Sequence, residues 1–304
     1  MRNFLKRLIR KNKESTAEIA CKELLNKGVL QAYITSVDIM HVYSTLKKTQ
    51  NVPDIESISG ILSNQSEATI DDACPILCVI VETRKHPTLD IVVNNFINNT
   101  QCPIQIFHGK NNLDFIMSTS IAKLVHDGKV HLTQLNIDEL CANKYNALFL
   151  SKRFWRNVRG RKKILVFQTD AISCSHSGYT INDFITYDYI GSKWPRQRPV
   201  GLIIDGGNGG LSLRDWKQTY DCLNRFPPEH WSGGEDGYFA FHIDLIGGKV
   251  GKGNDCAKFS TQHEFLYKSW GGHQIACLSK KAQANFLNYS EEAGFMLKKA
   301  NNAN

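Results

Sequence analysis

The chain has 304 residues, 42% hydrophobic and 22% charged, with a formal net charge of +8 from 37 basic and 29 acidic side chains. That length can bury a full core, so one large globular domain with appendages is the natural expectation. The longest clean apolar run, Ile76–Val81, is far below the roughly 20 residues needed to span a bilayer, which argues against an integral membrane protein.

The surplus of positive charge suits an anionic ligand, an anionic membrane face or nucleic acid, and does not choose among them. The beginning of the chain shows neither the apolar core nor the small-residue cleavage site of a secretory leader. With 9 scattered cysteines and no C-x-x-C pair, the expected location is the cytoplasm, with reduced and buried thiols. Two basic clusters stand out. Residues 1–13 carry Arg2, Lys6, Arg7, Arg10, Lys11 and Lys13, with Phe4, Leu5, Leu8 and Ile9 on one helical face. They are either a frayed, solvated terminus or a surface-lying membrane helix. The second cluster, Lys152 to Lys163, could meet a phosphorylated ligand or be a solvated helix end.

In chain order, residues 14–48 read as helical and 49–72 as a polar linker, so 1–72 is taken as a helical N-terminal extension. From Ala73 the rhythm changes. Ile76–Val81 is a continuous apolar run, as expected for a strand covered on both faces. Leu89, Val92, Val93, Phe96 and Ile97 then fall at helical spacing. Ile104–Phe107 is the next strand, Leu113–Val125 a helix, Lys129–Leu135 a strand, 143–156 a helix and Ile164–Phe167 another buried strand. This alternation predicts an α/β domain over 73–280, with a mainly parallel, Rossmann-like sheet flanked by helices. Residues 281–304 read as a helical tail. Ligands of such sheets sit beyond the carboxyl ends of the strands, where Asp170 and Glu82-Thr83-Arg84 are expected.

The chemistry-bearing residues follow from there. An Asp at a strand end is either a turn residue or an oxygen ligand for Mg²⁺ or Mn²⁺ beside a substrate phosphate. Gly206-Gly-Asn-Gly-Gly210 reads as a glycine turn, followed by a capping box at Ser212 and Asp215 and a helix with Trp216, Tyr220 and Leu223 on one face. It matches neither of the standard phosphate-loop spacings. Glu235-Asp236 opens a further helix, where the dipole keeps carboxylates ionised, and an ionised carboxylate in a cleft can act as a general base. His273, behind Gly271-Gly272, is either structural or the group that completes a metal site begun by Asp170.

Together, Phe167-Gln-Thr-Asp170, Tyr187-Asp-Tyr-Ile-Gly191, Gly207-Asn-Gly-Gly-Leu-Ser-Leu-Arg214, Glu235-Asp236 and Gly272-His273 resemble the motifs of a largely uncharacterised glycosyltransferase-like family. Tyr145-Asn-Ala-Leu-Phe-Leu-Ser151 with Phe154-Trp155 fits the same pattern, and the resemblance runs over roughly residues 75–280. It implies the A-type glycosyltransferase fold, which binds a nucleotide-sugar, most simply a UDP-sugar. It also implies Mn²⁺ or Mg²⁺ held by Asp170 and His273. Of the family's Asp-x-Asp motif the second acid is kept as Asp170. Gln168 stands where the first would be and would bond ribose or sugar instead.

By the same resemblance Asp236 is the catalytic base of an inverting transfer to an acceptor hydroxyl, and Glu235 helps to position that acceptor. Asn208, Gly209 and Gly210 would line the donor-sugar or acceptor site, and Thr83 and Arg84 would face the nucleotide. The acceptor would be a glycan, a protein or a small molecule. Peripheral membrane contact is expected at residues 1–13, and nucleic acid is not an expected partner. The competing readings are a nucleotidyltransferase-like enzyme, a non-catalytic basic protein that binds nucleic acid or membrane, and a sugar-binding module. The first usually carries a basic glycine loop near strand one, and Glu82-Thr-Arg-Lys-His-Pro87 contains no glycine.

Overall fold

A computed structural model describes residues 58, 60–62, 75–195, 206–231 and 233–298. The basic segment 1–13, the expected helix over 14–48, most of the linker at 49–72 and the apolar segment Val200–Ile204 lie outside the described residues.

The chain runs β1 (Ile76–Glu82), α1 (Leu89–Thr100), β2 (Ile104–His108), α2 (Leu113–Met117), α3 (Ile121–His126), β3 (Val130–Gln134), α4 (Ala142–Phe149), α5 (Lys152–Asn157) and β4 (Lys163–Phe167). There follow β5 (Ala171–Ser173), β6 (Tyr189–Lys193), β7 (Gly206–Asp215), α6 (Trp216–Arg225), α7 (Glu235–Leu245), α8 (Asn254–Phe259), β8 (Ser260–Thr261), β9 (Gly271–His273), α9 (Lys280–Tyr289) and α10 (Gly294–Lys298). The main sheet has the order β3-β2-β1-β4-β7-β6. Its first four strands are parallel, and β7 lies antiparallel between β4 and β6. The fold is therefore α/β with a mainly parallel central sheet flanked by helices, as the alternation predicts.

Every residue of β1 is buried, which is why its sequence is apolar without alternation. Leu77, Val79 and Val81 face a core shared with α4, α5 and α7, while Ile76, Cys78 and Ile80 face a second core under α1. In α1 the buried Leu89, Val92, Val93 and Phe96 form the stripe read from the spacing, each contributing about 1.5–3 kcal/mol on burial. Phe96 stacks on Phe167 of β4 with ring centroids 4.2 Å apart, which fixes this helix beside the strand that leads into the site.

Four expectations need correction. The helix expected over 113–125 breaks into α2 and α3. Ser118 and Thr119 turn their hydroxyls back onto the carbonyls of Phe115 and Ile116, which competes with helix continuation. The helix expected over 143–156 breaks at Ser151, whose backbone is extended, and Trp155 closes the break by donating its indole N–H to the Phe149 carbonyl. Gly206–Gly210 is not a turn but the first half of β7. Helix α6 is capped by Asp215 alone, which accepts from the Gln218 amide at 3.0 Å; the Ser212 hydroxyl donates to the Gly209 carbonyl instead.

Among the described residues, Cys78, Cys102, Cys174, Cys222 and Cys256 are buried free thiols, and Cys141 and Cys277 are exposed free thiols. No helix among the described residues is long and apolar enough to cross a membrane.

One buried titrating group gives a test of the fold. The His242 ring packs against Tyr238, Phe226 and Trp231 with centroids 4.3, 4.6 and 5.3 Å away, and burial pushes its pKa down to about 3. His108 is lowered by the same cause. The unfolded chain therefore binds more protons, and stability is expected to fall as pH drops below about 6.5. Linkage gives a loss of roughly 2 kcal/mol from His242 between pH 7 and pH 5. Urea unfolding at the two pH values checks it, with most of that loss absent in His242→Phe.

Candidate functional site

The carboxyl ends of β1 and β4 open into a cleft of ≈ 570 Å³. Its lining includes Thr83, Arg84, Gln168, Asp170, Asn208, Gly209, Gly210, Glu235, Asp236 and His273. All the site residues expected from the sequence thus lie on one cavity, contributed by segments far apart in the chain.

Register explains the convergence. Strand β7 pairs antiparallel with β4, Leu211 opposite Phe167, so Gly206–Gly210 run on past the end of β4 beside Gln168. The Gln168 amide donates to the Gly210 carbonyl at 2.9 Å. The small sheet β5-β9-β8 then brings His273 opposite Ala171, next to Asp170, and the Gln274 amide donates to the Asp170 carbonyl at 3.0 Å.

Asp170 is 43% exposed, whereas His273 is 2% exposed, and their Oδ1 and Nε2 atoms lie 3.4 Å apart. The same Nε2 lies 3.3 Å from Gln168 Oε1. Burial pushes the Asp170 carboxyl up, but the hydrogen bond and charge of His273 outweigh it, so Asp170 sits below the ordinary carboxylate value. The other ring nitrogen, Nδ1, is buried with no hydrogen-bond partner among the described residues. Two neighbouring ligands of an octahedral Mg²⁺ or Mn²⁺ stand about 3 Å apart, which the Asp170, His273 and Gln168 atoms approach. The donor types, carboxylate, imidazole and amide oxygen, also suit those ions. Among the described residues no group of three or more His, Cys, Asp and Glu side chains gathers into a complete cage. The remaining ligands would come from phosphate oxygens and water, the usual arrangement for Mg²⁺ in nucleotide sites.

Gly209 and Gly210 follow one another on β7 and so face opposite sides of it. A Cβ at Gly210 would collide with the His273 ring, and one at Gly209 would collide with Glu235 and press on Asp236. The strand is glycine-rich because the imidazole packs against one side of it and the acidic pair against the other. Gly207 adds a positive φ of 123°.

Of the cleft's acids, Glu235 accepts two bonds from Arg214, at 2.6 and 2.9 Å, both side chains being buried. Burial works against the Arg214 charge and Glu235 more than restores it, so the guanidinium is held above its ordinary value. Burial also pushes the Glu235 carboxyl up against the pull of Arg214; the two-pronged contact is that of an ionised pair, and Glu235 is charged on that geometry. Asp236 accepts from the Gly237 amide at 2.7 Å and from the Gly209 amide at 3.4 Å. Both acids open α7, as expected from the sequence, and the Glu235 amide is taken by the Asn146 side chain at 3.2 Å.

At the β1 end, Glu82 holds Arg84 by two bonds of 2.8 Å. This contact with Glu82 is the main reason the Arg84 pKa is raised, and the negative charge of Asp170 adds to it. The Arg84 side chain is nevertheless 64% exposed, so one face of its guanidinium is open. Thr88 donates to the Thr169 carbonyl at 2.7 Å and His86 lies 3.4 Å from the Thr169 hydroxyl, which ties the loop after β1 to the turn before Asp170.

Some wall residues were given no site role from the sequence. Tyr145, Asn146 and Gln274 all line the cleft, and burial raises the pKa of the Tyr145 hydroxyl. Tyr145 and Asn146 lie in a segment read as helix and as part of the resembling pattern, without a site role, and Gln274 simply follows His273. Conversely, the basic cluster Lys152–Lys163 is not part of the cleft, since it leads into the amino end of β4, at the opposite edge of the sheet. Arg161 lies 4.6 Å above the Trp216 ring and Arg156 donates to Tyr220 at 2.8 Å, so those two cations are used in packing.

Residues 131–275 of the chain match the family described as Protein of unknown function (DUF5672). No curated protein matches. Among solved structures, a nucleoside-diphosphate-sugar pyrophosphorylase from Vibrio cholerae RC9 is similar at 11% identity, covering 59% of this chain and 93% of that one, with a TM-score of 0.38. A candidate glucose-1-phosphate thymidylyltransferase from Bacillus anthracis, solved with sucrose, is similar at 12% identity, covering 72% and 99%, with a TM-score of 0.36. Both likenesses are too distant to bear on the chemistry of the cleft.

Proposed function

We propose that the cleft is the active site of a metal-dependent glycosyltransferase that moves a sugar from a nucleotide-sugar, most simply a UDP-sugar, to an acceptor hydroxyl with inversion. The observation that carries this reading is the meeting of Asp170 and His273 at 3.4 Å in the cleft that Asp236 also lines.

When bound, Mn²⁺ or Mg²⁺ supplies positive charge against the leaving diphosphate. Asp170 and His273 would hold it, with Gln168 beside them or turned to ribose or sugar. Arg84, its fork kept by Glu82, offers a flat face to the nucleobase, and Thr83 lies next to it. Asn208, Gly209 and Gly210 would line the donor-sugar or acceptor side of the cleft. In the transfer the bond from the anomeric carbon to the diphosphate breaks and a bond to the acceptor oxygen forms. The acceptor's proton goes to Asp236, and the nucleoside diphosphate leaves. Glu235 orients that end of the site through its bonds to Arg214. The acceptor is a glycan, a protein or a small molecule.

Calorimetry with UDP and Mn²⁺ tests the metal side. Wild type is expected to bind in a Mn²⁺-dependent manner, with Asp170→Ala and His273→Ala each at least tenfold weaker. Equal binding by wild type and Asp170→Ala would sink the scheme. Scoring the leaving product separates transfer classes, because sugar transfer releases nucleoside diphosphate and nucleotidyl transfer releases pyrophosphate.

A further inference from the structure

We propose that Arg214, which does not line the cleft, is its positioning residue, setting where the Asp236 carboxylate stands against β7. The proposal rests on Asp236 being the base, as read above.

Arg214 is a residue of β7 and is 0% exposed. Its guanidinium is held among the rings of Tyr189, Phe149, Phe239 and Trp155, at 5.1, 5.2, 5.5 and 5.9 Å from their centroids. Two of its nitrogens grip Glu235, the residue before Asp236, and its Nε donates to the Ser212 hydroxyl at 2.9 Å. Ser212 in turn donates to the Gly209 carbonyl at 3.2 Å, and the Gly209 amide meets Asp236 Oδ2 at 3.4 Å. The path closes on itself, from Arg214 through Glu235 to Asp236, across to Gly209, and back through Ser212. Every bond in it joins β7 to the first turn of α7, or β7 to itself.

Stability alone does not account for such a pair, since well-packed apolar side chains of similar volume often do as well or better in a buried site. What an apolar pair cannot do is fix register between a strand and a helix end to a fraction of an ångström. A planar three-point fork does so, and lysine, with a single rotating ammonium, does not. Placement at that accuracy is what a general base needs.

The test uses Arg214→Lys, which keeps the charge opposite Glu235 and loses the fork, and the double variant Arg214→Met with Glu235→Leu, which leaves neither charge orphaned. Each is measured for thermal midpoint, UDP–Mn²⁺ affinity, kcat and KM for the donor, and amide hydrogen exchange at Gly209 and Gly237. For Arg214→Lys the expected result is a folded protein with wild-type UDP–Mn²⁺ affinity and donor KM. Its kcat should fall ten- to hundredfold and its Gly209 exchange should rise at least tenfold. The double variant should follow in kcat and exchange. Unchanged kcat and exchange in both variants would overturn the proposal. So would a loss of UDP–Mn²⁺ binding in step with kcat, because Arg214 would then only hold up the fold. Faster Gly209 exchange in a protein whose wild type turns over no sugar donor upholds the positioning and defeats the glycosyltransferase reading instead.

Discussion

Replacing Asp236 by asparagine is expected to lower sugar transfer by about 10²- to 10⁴-fold while leaving the affinity for UDP with Mn²⁺ unchanged. Asparagine has the shape of aspartate and still offers an oxygen to the Gly237 amide, which bonds Asp236 at 2.7 Å, so the first turn of α7 should stay in place. It cannot accept a proton from an attacking hydroxyl. The metal-side groups Asp170 and His273 pack beyond the opposite face of β7 and should not feel the change. Nucleoside diphosphate release across a donor panel, paired with calorimetry, gives both readouts. Undiminished turnover in Asp236→Asn would remove this carboxylate from the mechanism.

A single added carbon at Gly210 should do comparable damage by a different route. A Cβ there would overlap the ring of His273, which is 2% exposed and has nowhere to retreat without leaving its place beside Asp170 and Gln168. Overpacking of this kind costs about 1–3 kcal/mol, a drop of several degrees in thermal midpoint. Gly210→Ala is accordingly expected to remain folded but lose at least tenfold in Mn²⁺-dependent UDP affinity. Gly178→Ala, where an added carbon meets nothing within 4 Å, is the silent control. If Gly210→Ala binds UDP and Mn²⁺ like wild type, the imidazole is not a partner of the metal.

How far the sequence could be read depended on how many jobs each residue does. β1 was legible because burial on both faces writes a single apolar word, and α1 because its stripe obeys one period. β7 was not legible. Its first half is glycine because other groups press on it, and its second half buries Ser212 and Arg214, polar residues that hide a strand among turn-like neighbours. The run Leu211-Ser-Leu-Arg214 does alternate, and that alternation was the available signal.

The break within 113–125 was missed for a local reason, hydroxyls at 118 and 119 that bond back to their own turn. In the cleft, residue types with obvious chemistry could be picked out, and the structure places them together. Tyr145 and Asn146 could not, because nothing in a helical segment says which face meets a cavity formed by strands read much later in the chain.

The bare backbone of residues 209 and 210 has one more implication. Its space is already taken, by the His273 ring at residue 210 and by Glu235 and Asp236 at residue 209, so this stretch of strand cannot gain a side chain without displacing one of them. Variation in what the cleft accepts must therefore be written in the flanks, at Leu140, Tyr145, Asn146 and Gln274. Those are the positions at which relatives with different ligands should diverge, around a stretch of strand that none of them can alter.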